Sequence, residues 1–229
     1  MENKKALIAG ATGLVGQQLL SLLLSSSEYE KVYVLTRRTL SLDSPKVEEI
    51  LLDFDELDES YYLPEVDDVF CCLGTTMKKA GSKAAFRKVD YQYPLQLAKK
   101  TASKGARQFL LVTAMGANRK SFFFYNKVKG EVEEDISKVS ELHSISFFRP
   151  SLLLGERQEN RTGEGIAAKL MVFLQPLMKG FLRKYRPIYA RTVANGMLSI
   201  ARQEPRGVNV YESEEIKNLS GEITVSQKM

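Results

Sequence analysis

The sequence has few of the residues that build metal centres and disulfides. In 229 residues it contains one histidine, His143, and two cysteines, Cys71 and Cys72. Neighbouring residues on a strand point to opposite faces, so these cysteines are poorly placed to pair or to share a metal. We therefore expect reduced core cysteines, a structural histidine, no metal site and a cytoplasmic location.

Long apolar runs are also missing. No stretch approaches the roughly 20 apolar residues of a membrane span, and the opening MENKKALIAG lacks the pattern of a signal peptide. The formal net charge of +5 fits an anionic ligand. The cations are spread along the chain, however, which does not favour nucleic acid as a partner.

What is present is an alternation of strand-like and helix-like segments. Strands are predicted at 5–10, 31–38, 47–55, 67–76, 108–117, 144–155 and 207–213. Helices are predicted at 13–26, 83–104 (the helix proper starting at Pro94), 123–139 and 192–203. This pattern predicts a single α/β domain of the Rossmann type, with a doubly wound, mainly parallel sheet and helices on both faces. Residues 1–155 would form the dinucleotide-binding core, and 156–229 a small substrate lid and C-terminal elements.

The stretch LIAGATGLVG places three glycines between the first strand and the first helix. Gly10 would make the turn, Gly13 would let the backbone approach a pyrophosphate, and Gly16 would let the helix pack closely on the strand. The helix N-terminus supplies free N–H groups and a partial positive charge. No Lys-Ser/Thr pair follows the last glycine, which excludes a P-loop.

The end of the second strand indicates which dinucleotide binds. An NAD site has an acid about twenty residues after the glycines, but this chain has Arg37 and Arg38 there. A guanidinium binds a 2′-phosphate through two charge-assisted bonds, and a carboxylate would repel it. We therefore predict NADP(H).

Tyr125 and Lys129 form a Y-x-x-x-K pattern on a predicted helix. Residues four apart share a helix face, and an ammonium beside a phenol stabilises the phenolate form. Such a tyrosine can exchange a proton with a carbonyl or alcohol oxygen while a hydride moves. The pair therefore indicates an acid/base site.

With these motifs in place, the chain resembles the short-chain dehydrogenases/reductases. The resemblance is carried by GATGLVG, CLGTT, LLVTAMGAN, YNKVK and FRPSLLLG. More narrowly, it is similar to an atypical branch that includes the human Tat-interacting oxidoreductase-like protein and its bacterial relatives. The resemblance is strong over about residues 5–160 and loose beyond.

The resemblance implies roles for residues at matching positions. Those implied to bind the cofactor are, from pyrophosphate through 2′-phosphate and adenine to nicotinamide, Gly10, Thr12, Gly13, Leu14, Val15, Gly16, Arg37, Arg38, Asp53, Phe54, Leu73, Gly74, Thr75, Tyr125, Lys129, Pro150 and Leu153. Tyr125 would be the general acid/base. Lys129 would bind the nicotinamide ribose and tune the acidity of Tyr125.

The chain departs from the family pattern at the end of the fifth strand, where a serine usually orients the substrate oxygen. The candidates here are Thr113 and Ala114. Thr113 keeps a hydroxyl and is our prediction for this catalytic role, with Ser121 as the alternative. The departure bears on catalytic competence and not on cofactor binding.

The apolar and basic segment 161–186 allows three interpretations: a substrate lid, a membrane-surface helix or a partner surface. We expect the lid, because the family builds one after the sixth strand. The function predicted is NADP(H)-dependent hydride transfer to or from a small, apolar carbonyl or alcohol. The alternative is a non-catalytic NADPH-binding regulatory or sensing protein, for which a protein partner would be expected. A nucleotide-sugar epimerase is disfavoured, since those relatives carry a larger C-terminal domain. Monomer and dimer both stay open.

Overall fold

The structure is a computed structural model that describes residues 3–57, 61–155 and 180–221. In these ranges the strands are β1 (Lys4–Ala9), β2 (Tyr29–Thr36), β3 (Val47–Leu51), β4 (Asp68–Cys71), β5 (Gln108–Val112), β6 (Ser144–Arg149), β7 (Leu153–Leu154), β8 (Ile188–Tyr189) and β9 (Gly207–Glu212). Seven of them form one sheet in the order β3-β2-β1-β4-β5-β6-β9, and β7 pairs with β8 separately.

Every neighbouring pair in the large sheet is parallel. The chain runs outward from β1 to β3, then returns to β4 on the other side of β1 and continues to β9. The strand order therefore reverses between β1 and β4. In such sheets the ligand crevice lies at the carboxyl ends of the strands at this switch point.

The helices that lie between or after these strands are α1 (Leu14–Ser25), α2 (Met77–Ala80), α3 (Lys83–Arg87), α4 (Tyr93–Ala102), α5 (Phe124–Ile136), α6 (Ala190–Gln203) and α7 (Ser213–Leu219). Short 3-10 helices cover Phe54–Glu56 and Gly180–Tyr185, and a π-helical turn covers Lys88–Gln92. Parallel strands need such crossovers, which cover both faces of the sheet.

Alternate residues of the strands enter two separate cores. Ala6 and Ile8 of β1 belong to the cluster that includes residues of α1 and α6. Leu7 and Ala9 belong to the cluster that includes residues of α4 and α5. Because strand side chains alternate with period two, a short strand buried on both faces reads as the continuous apolar run ALIA.

The predicted doubly wound α/β fold is confirmed, and the differences are local. Strand β4 ends at Cys71 and not at residue 76, because the chain turns away at the crevice. The predicted helix 83–104 is divided into α3, the π-helical turn and α4, with Pro94 in the first turn of α4. Helix α7 was missed; it is too short for a periodic pattern.

The expected lid at 161–186 lies mostly outside the described residues. Its last residues form the 3-10 helix Gly180–Tyr185, which leads into β8. The division into a core of residues 1–155 and a lid with C-terminal elements at 156–229 stays a prediction. In the described ranges, none of the helices combines the length and apolar character needed to cross a bilayer.

Candidate functional site

The glycine turn between β1 and α1 lies at the switch point. Gly10 has φ +82°, and a Cβ there would lie 2.5 Å from the Cys72 carbonyl oxygen. A Cβ on Gly16 would overlap the Gly10 carbonyl oxygen, whereas one on Gly13 would lie 3.3 Å from it. Gly10 and Gly16 are therefore required by the protein's own packing, and Gly13 faces a more open side.

Helix α1 begins at Leu14 with no side-chain cap. Its first N–H groups are thus available, and together with the helix dipole they suit a phosphate. Thr12 is exposed on the turn, and Val15 is buried beneath it. Leu14 also contacts the chain after β7, since a Cβ on Gly155 would lie 3.1 Å from its side chain.

Two arginines follow the carboxyl end of β2. Arg37 and Arg38 are exposed, and neither forms an ion pair within the described residues. Hydrogen bonds within the protein stabilise the loop that carries them: the Thr36 hydroxyl donates to the Arg38 carbonyl oxygen at 2.7 Å. The Glu49 carboxylate also accepts from the amides of Leu40 and Leu42. Both guanidinium groups are thus free to meet a phosphate.

The predicted adenine contacts lie one strand further out. The Asp53 carboxylate accepts from the Asp55 amide at 3.1 Å and begins the 3-10 helix. The Phe54 ring is buried and stacks on Tyr93, with centroids 5.3 Å apart. The Phe54 side chain therefore belongs to the core. For the predicted adenine contact, only the Phe54 backbone and the Asp53 residue remain available at this position.

A buried ion pair that the sequence analysis missed joins the loop after β4 to α5. Lys129 Nζ lies 2.8 Å from Asp90 Oδ1, and both side chains are buried. Asp90 Oδ2 accepts from the Thr75 amide at 2.9 Å. Asp90 itself lies in the π-helical turn, a feature that often occurs at functional sites.

The electrostatics of Lys129 are set by this pair. Burial lowers its pKa, but the nearby Asp90 carboxylate and Tyr125 more than offset that effect, so the pKa is raised. A Cβ on Gly74 would lie 3.5 Å from Asp90 Oδ1 and 3.8 Å from Lys129 Nζ. The predicted cofactor loop Leu73–Thr75 therefore lies directly against the charged Lys129.

Tyr125 lies in the first turn of α5, at the surface and partly exposed. Its ring packs against Phe86 of α3, with centroids 5.5 Å apart. Gly130 lets α5 approach the preceding loop, since a Cβ there would overlap the backbone of Asn118 and Arg119. One helix thus presents the phenol to solvent and, one turn later, holds Lys129 inside.

The structure does not support the predicted substrate-orienting role of Thr113. Its hydroxyl is buried and donates to Glu133 Oε1 at 2.5 Å. The end of β5 directs the Thr113 side chain toward α5, so its hydroxyl bonds within the protein and does not face the crevice. Ser121, the alternative, accepts from the Phe123 amide at 3.1 Å.

Glu133 is a second buried charged residue that the sequence analysis did not single out, because the run Glu133, Glu134 and Asp135 is typical of a solvated helix face. It is buried, and Arg149 Nε lies 3.0 Å from its Oε1. Arg149 also pairs with Glu212 at 3.3 Å. The network ties α5 to the carboxyl ends of β5, β6 and β9.

The remaining predicted contacts lie on the far side of the crevice. The Pro150 carbonyl oxygen accepts from the Met115 amide at 3.0 Å, which joins the ends of β5 and β6. Leu153 is partly buried in β7, paired with Ile188. A cavity of about 120 Å³ opens between the start of α1 and Gly155.

Taken together, the described residues fit a nicotinamide dinucleotide. The fit rests on the Gly10–Gly16 turn, the uncapped start of α1 and a charged Lys129 beside Gly74. No cluster of His, Cys, Asp and Glu in the described ranges suits a metal ion.

Comparison with known proteins agrees with this geometry. Residues 39–179 match the HIM1 family. The chain is 41% identical to Protein HTATIP2 of Rattus norvegicus over 175 residues, which are 74% of the chain and 71% of the relative. It is 35% identical to Protein FMP52-1, mitochondrial, of Scheffersomyces stipitis, covering 93% of the chain and 97% of the relative.

Solved structures share the fold at low sequence identity. UDP-glucose 4-epimerase of Thermotoga maritima has a TM-score of 0.65 at 16% identity, covering 98% of this chain and 84% of that one. The human epimerase family protein SDR39U1, solved with NADPH, has a TM-score of 0.58 at 18% identity, covering 90% and 73%. MoeE5, solved with UDP-glucose and NAD, has a TM-score of 0.65 at 14% identity, covering 96% and 82%.

The expected cytoplasmic location is wrong by this comparison. Several yeast relatives, including FMP52 of Candida glabrata and Candida albicans, are named as mitochondrial proteins. Location depends on targeting segments and receptors and not on the cysteine usage from which it was inferred. The family resemblance, in contrast, is confirmed: the chain belongs to the HIM1 family and is a relative of HTATIP2. It shares its fold with solved structures such as the NADPH-bound SDR39U1.

Proposed function

We propose that the protein is an NADP(H)-dependent oxidoreductase that transfers a hydride to or from a small, apolar carbonyl or alcohol. The observation that carries the proposal is the arrangement on α5. Tyr125 faces solvent, while Lys129 one turn later is held charged against the cofactor loop at Gly74. In this proposal an acid/base group and a cofactor anchor share one helix.

The binding steps follow from the described groups. The turn Gly10–Gly16 and the first amides of α1 would hold the pyrophosphate, and Arg37 and Arg38 the 2′-phosphate. Lys129 would donate to the nicotinamide ribose from beside Gly74. When bound, the nicotinamide supplies or accepts the hydride.

Tyr125 would act on the substrate oxygen. In the reducing direction its hydroxyl donates a proton to that oxygen, and in the oxidising direction it accepts one. Lys129 stabilises negative charge on the phenol, and Asp90 keeps Lys129 in place and protonated. Asp90 is therefore a positioning residue in this proposal.

The experiment pairs binding with turnover. Calorimetry measures NADPH affinity, and absorbance at the nicotinamide band measures oxidation of NADPH by aldehydes, ketones and quinones. We expect Tyr125→Phe to reduce kcat by roughly 10²–10⁴-fold while leaving NADPH affinity nearly unchanged. Tyr62→Phe, at an exposed tyrosine before β4, is the matched control. Wild-type turnover by Tyr125→Phe would refute the acid/base role.

One observation favours a second function, a non-catalytic NADPH-binding sensor. The Thr113 hydroxyl is committed to Glu133, and Ala114 has no hydroxyl to replace it. The substrate oxygen would then lack a second donor at the end of β5. Tight NADPH binding without turnover on any carbonyl of the panel would support this function over the first.

A further inference from the structure

Two adjacent phenylalanines are exposed to water beside the candidate site. Phe122 is fully exposed and Phe123 is 75% exposed. They come immediately before α5, whose first turn carries Tyr125. Phenylalanine has no polar group, so neighbouring exposed rings are unfavourable in water and typical of a binding surface. We call Phe122 and Phe123 the aromatic tip.

The surface around the aromatic tip is basic. Lys83 Nζ lies 5.4 Å from the ring centroid of Phe124, the next residue. Lys120 comes two residues before the tip, and Lys127 lies one helical turn after Phe123, to whose carbonyl oxygen its amide donates at 2.9 Å. All three lysines are exposed. None of them forms an ion pair within the part of the chain that the structure describes.

The sequence around this surface contains few acidic residues. From Val69 to Gly130 the sequence contains one acidic residue, Asp90, and it is buried. The acidic residues of α5 lie in its second half, where Glu131 and Glu134 pair with arginines. The N-terminal end of α5 adds the positive end of its dipole. The aromatic tip therefore lies among three exposed lysines, while the nearby carboxylates of α5 are paired with arginines.

We propose that the aromatic tip and its three lysines form a docking surface for an anionic lipid bilayer. The two rings insert among the acyl chains, and Lys83, Lys120 and Lys127 contact the head-group phosphates. The composition favours lipid over an acidic protein. Protein interfaces concentrate binding energy in Trp, Tyr and Arg, whereas here two phenylalanines are flanked by lysines.

Docking in this orientation brings Tyr125 to the bilayer surface, because it lies two residues after the aromatic tip. An apolar substrate dissolved in the membrane could then reach the site without crossing water. The docking proposal does not depend on the proposed redox activity, since lipid binding is measured without cofactor or substrate.

The test is co-sedimentation of the full-length protein with vesicles. We expect binding to vesicles of phosphatidylcholine mixed with phosphatidylserine, weaker binding to phosphatidylcholine alone, and loss of the difference at high salt. Phe122→Ser with Phe123→Ser should lower the partition coefficient at least about tenfold. Lys120→Gln with Lys127→Gln should lower binding to the anionic vesicles only. Tyr62→Ser, a similarly exposed aromatic residue before β4, is the matched control and should bind normally.

Three results would overturn the proposal. The first is that the wild-type protein does not bind anionic vesicles, or that the Phe122→Ser, Phe123→Ser variant binds them as well as the wild type does. The second is binding to soluble polyglutamate but not to vesicles, which would assign the surface to an acidic protein. The third is a clear fall in Tm for the double serine variant, which would mean that the rings pack within the chain.

Discussion

Lys129 Nζ lies 2.8 Å from Asp90 Oδ1, and both side chains are buried. The other carboxylate oxygen of Asp90 accepts from the Thr75 amide. One carboxylate thus connects the loop after β4 to the helix that carries Tyr125. Breaking a buried pair by removing one partner is costly, because the remaining charge stays in a low-dielectric environment.

We expect Asp90→Asn to lower the free energy of unfolding by about 3–5 kcal/mol at neutral pH. Urea denaturation measures the change. Asp55→Asn is the control, since the Asp55–Lys88 pair is about half exposed and should matter far less. In the double variant with Lys129→Met, the two losses should not add; full additivity would mean that the pair does not act as a unit.

The same pair predicts a pH dependence. The pKa of Lys129 is raised above its ordinary value of 10.5 in the folded state. Its stabilising contribution is therefore complete below that pH and is lost as pH rises through the folded-state pKa. Denaturation midpoints between neutral and strongly alkaline pH should fall more steeply for wild type than for Lys129→Met. Parallel curves would contradict the assignment.

Two glycines of the fingerprint should respond differently to alanine. A Cβ on Gly16 overlaps the Gly10 carbonyl oxygen, so Gly16→Ala should destabilise the apoprotein. A Cβ on Gly13 is only 3.3 Å from that oxygen, so Gly13→Ala should fold but obstruct the pyrophosphate. Thermal unfolding and NADPH calorimetry separate the two outcomes. Normal NADPH binding by Gly13→Ala would reduce the motif to a plain turn.

Part of the candidate site and most of the strands could be predicted from the sequence. The glycine turn and the arginines after β2 are local features, fixed by their spacing from one strand and one helix. The apolar runs predict the strands for the same reason, although β4 proved shorter than its run because the chain turns at the crevice. The parallel arrangement of the sheet follows from the alternation of strands with helices.

Asp90 and Glu133 could not be predicted in the same way, because their roles depend on partners far along the chain. Asp90 lies in a π-helical turn, which shifts the register that a 3.6-residue pattern assumes. Its one sequence signal is that it is the single acid between Asp68 and Glu131. Glu133 lies beside Glu134 and Asp135 in the sequence, a run that is typical of a solvated helix face. Its partner Arg149 comes from strand β6.

The predicted preference for NADPH over NADH can be tested at Arg37. Losing one charge-assisted contact to the 2′-phosphate should weaken NADPH binding by about 10- to 150-fold. Arg37→Ala should therefore weaken NADPH binding while leaving NADH binding nearly unchanged. Arg206→Ala removes the same charge at the opposite edge of the sheet, before β9, and serves as the control. Equal affinity of the wild type for the two cofactors would contradict the prediction.

Replacing Thr113 tests whether its hydroxyl, at the end of β5, has a structural or a catalytic role. Thr113→Val keeps the shape and removes the donor to Glu133, so we expect a loss of about 1–3 kcal/mol in the free energy of unfolding. NADPH affinity should stay close to wild type, because Arg149 still holds Glu133. Thr101→Val is the matched control, since that buried hydroxyl bonds only to the backbone of its own helix.

The opposite result has an equally specific meaning. If Thr113 orients the substrate oxygen, Thr113→Val loses turnover while its stability and its NADPH affinity stay intact. A loss confined to stability instead leaves Tyr125 as the one side-chain donor assigned to the substrate oxygen. Catalysis by this chain would then depend on how firmly the Glu133–Arg149 pair holds α5, and Glu133→Gln should reduce kcat more than it weakens NADPH binding.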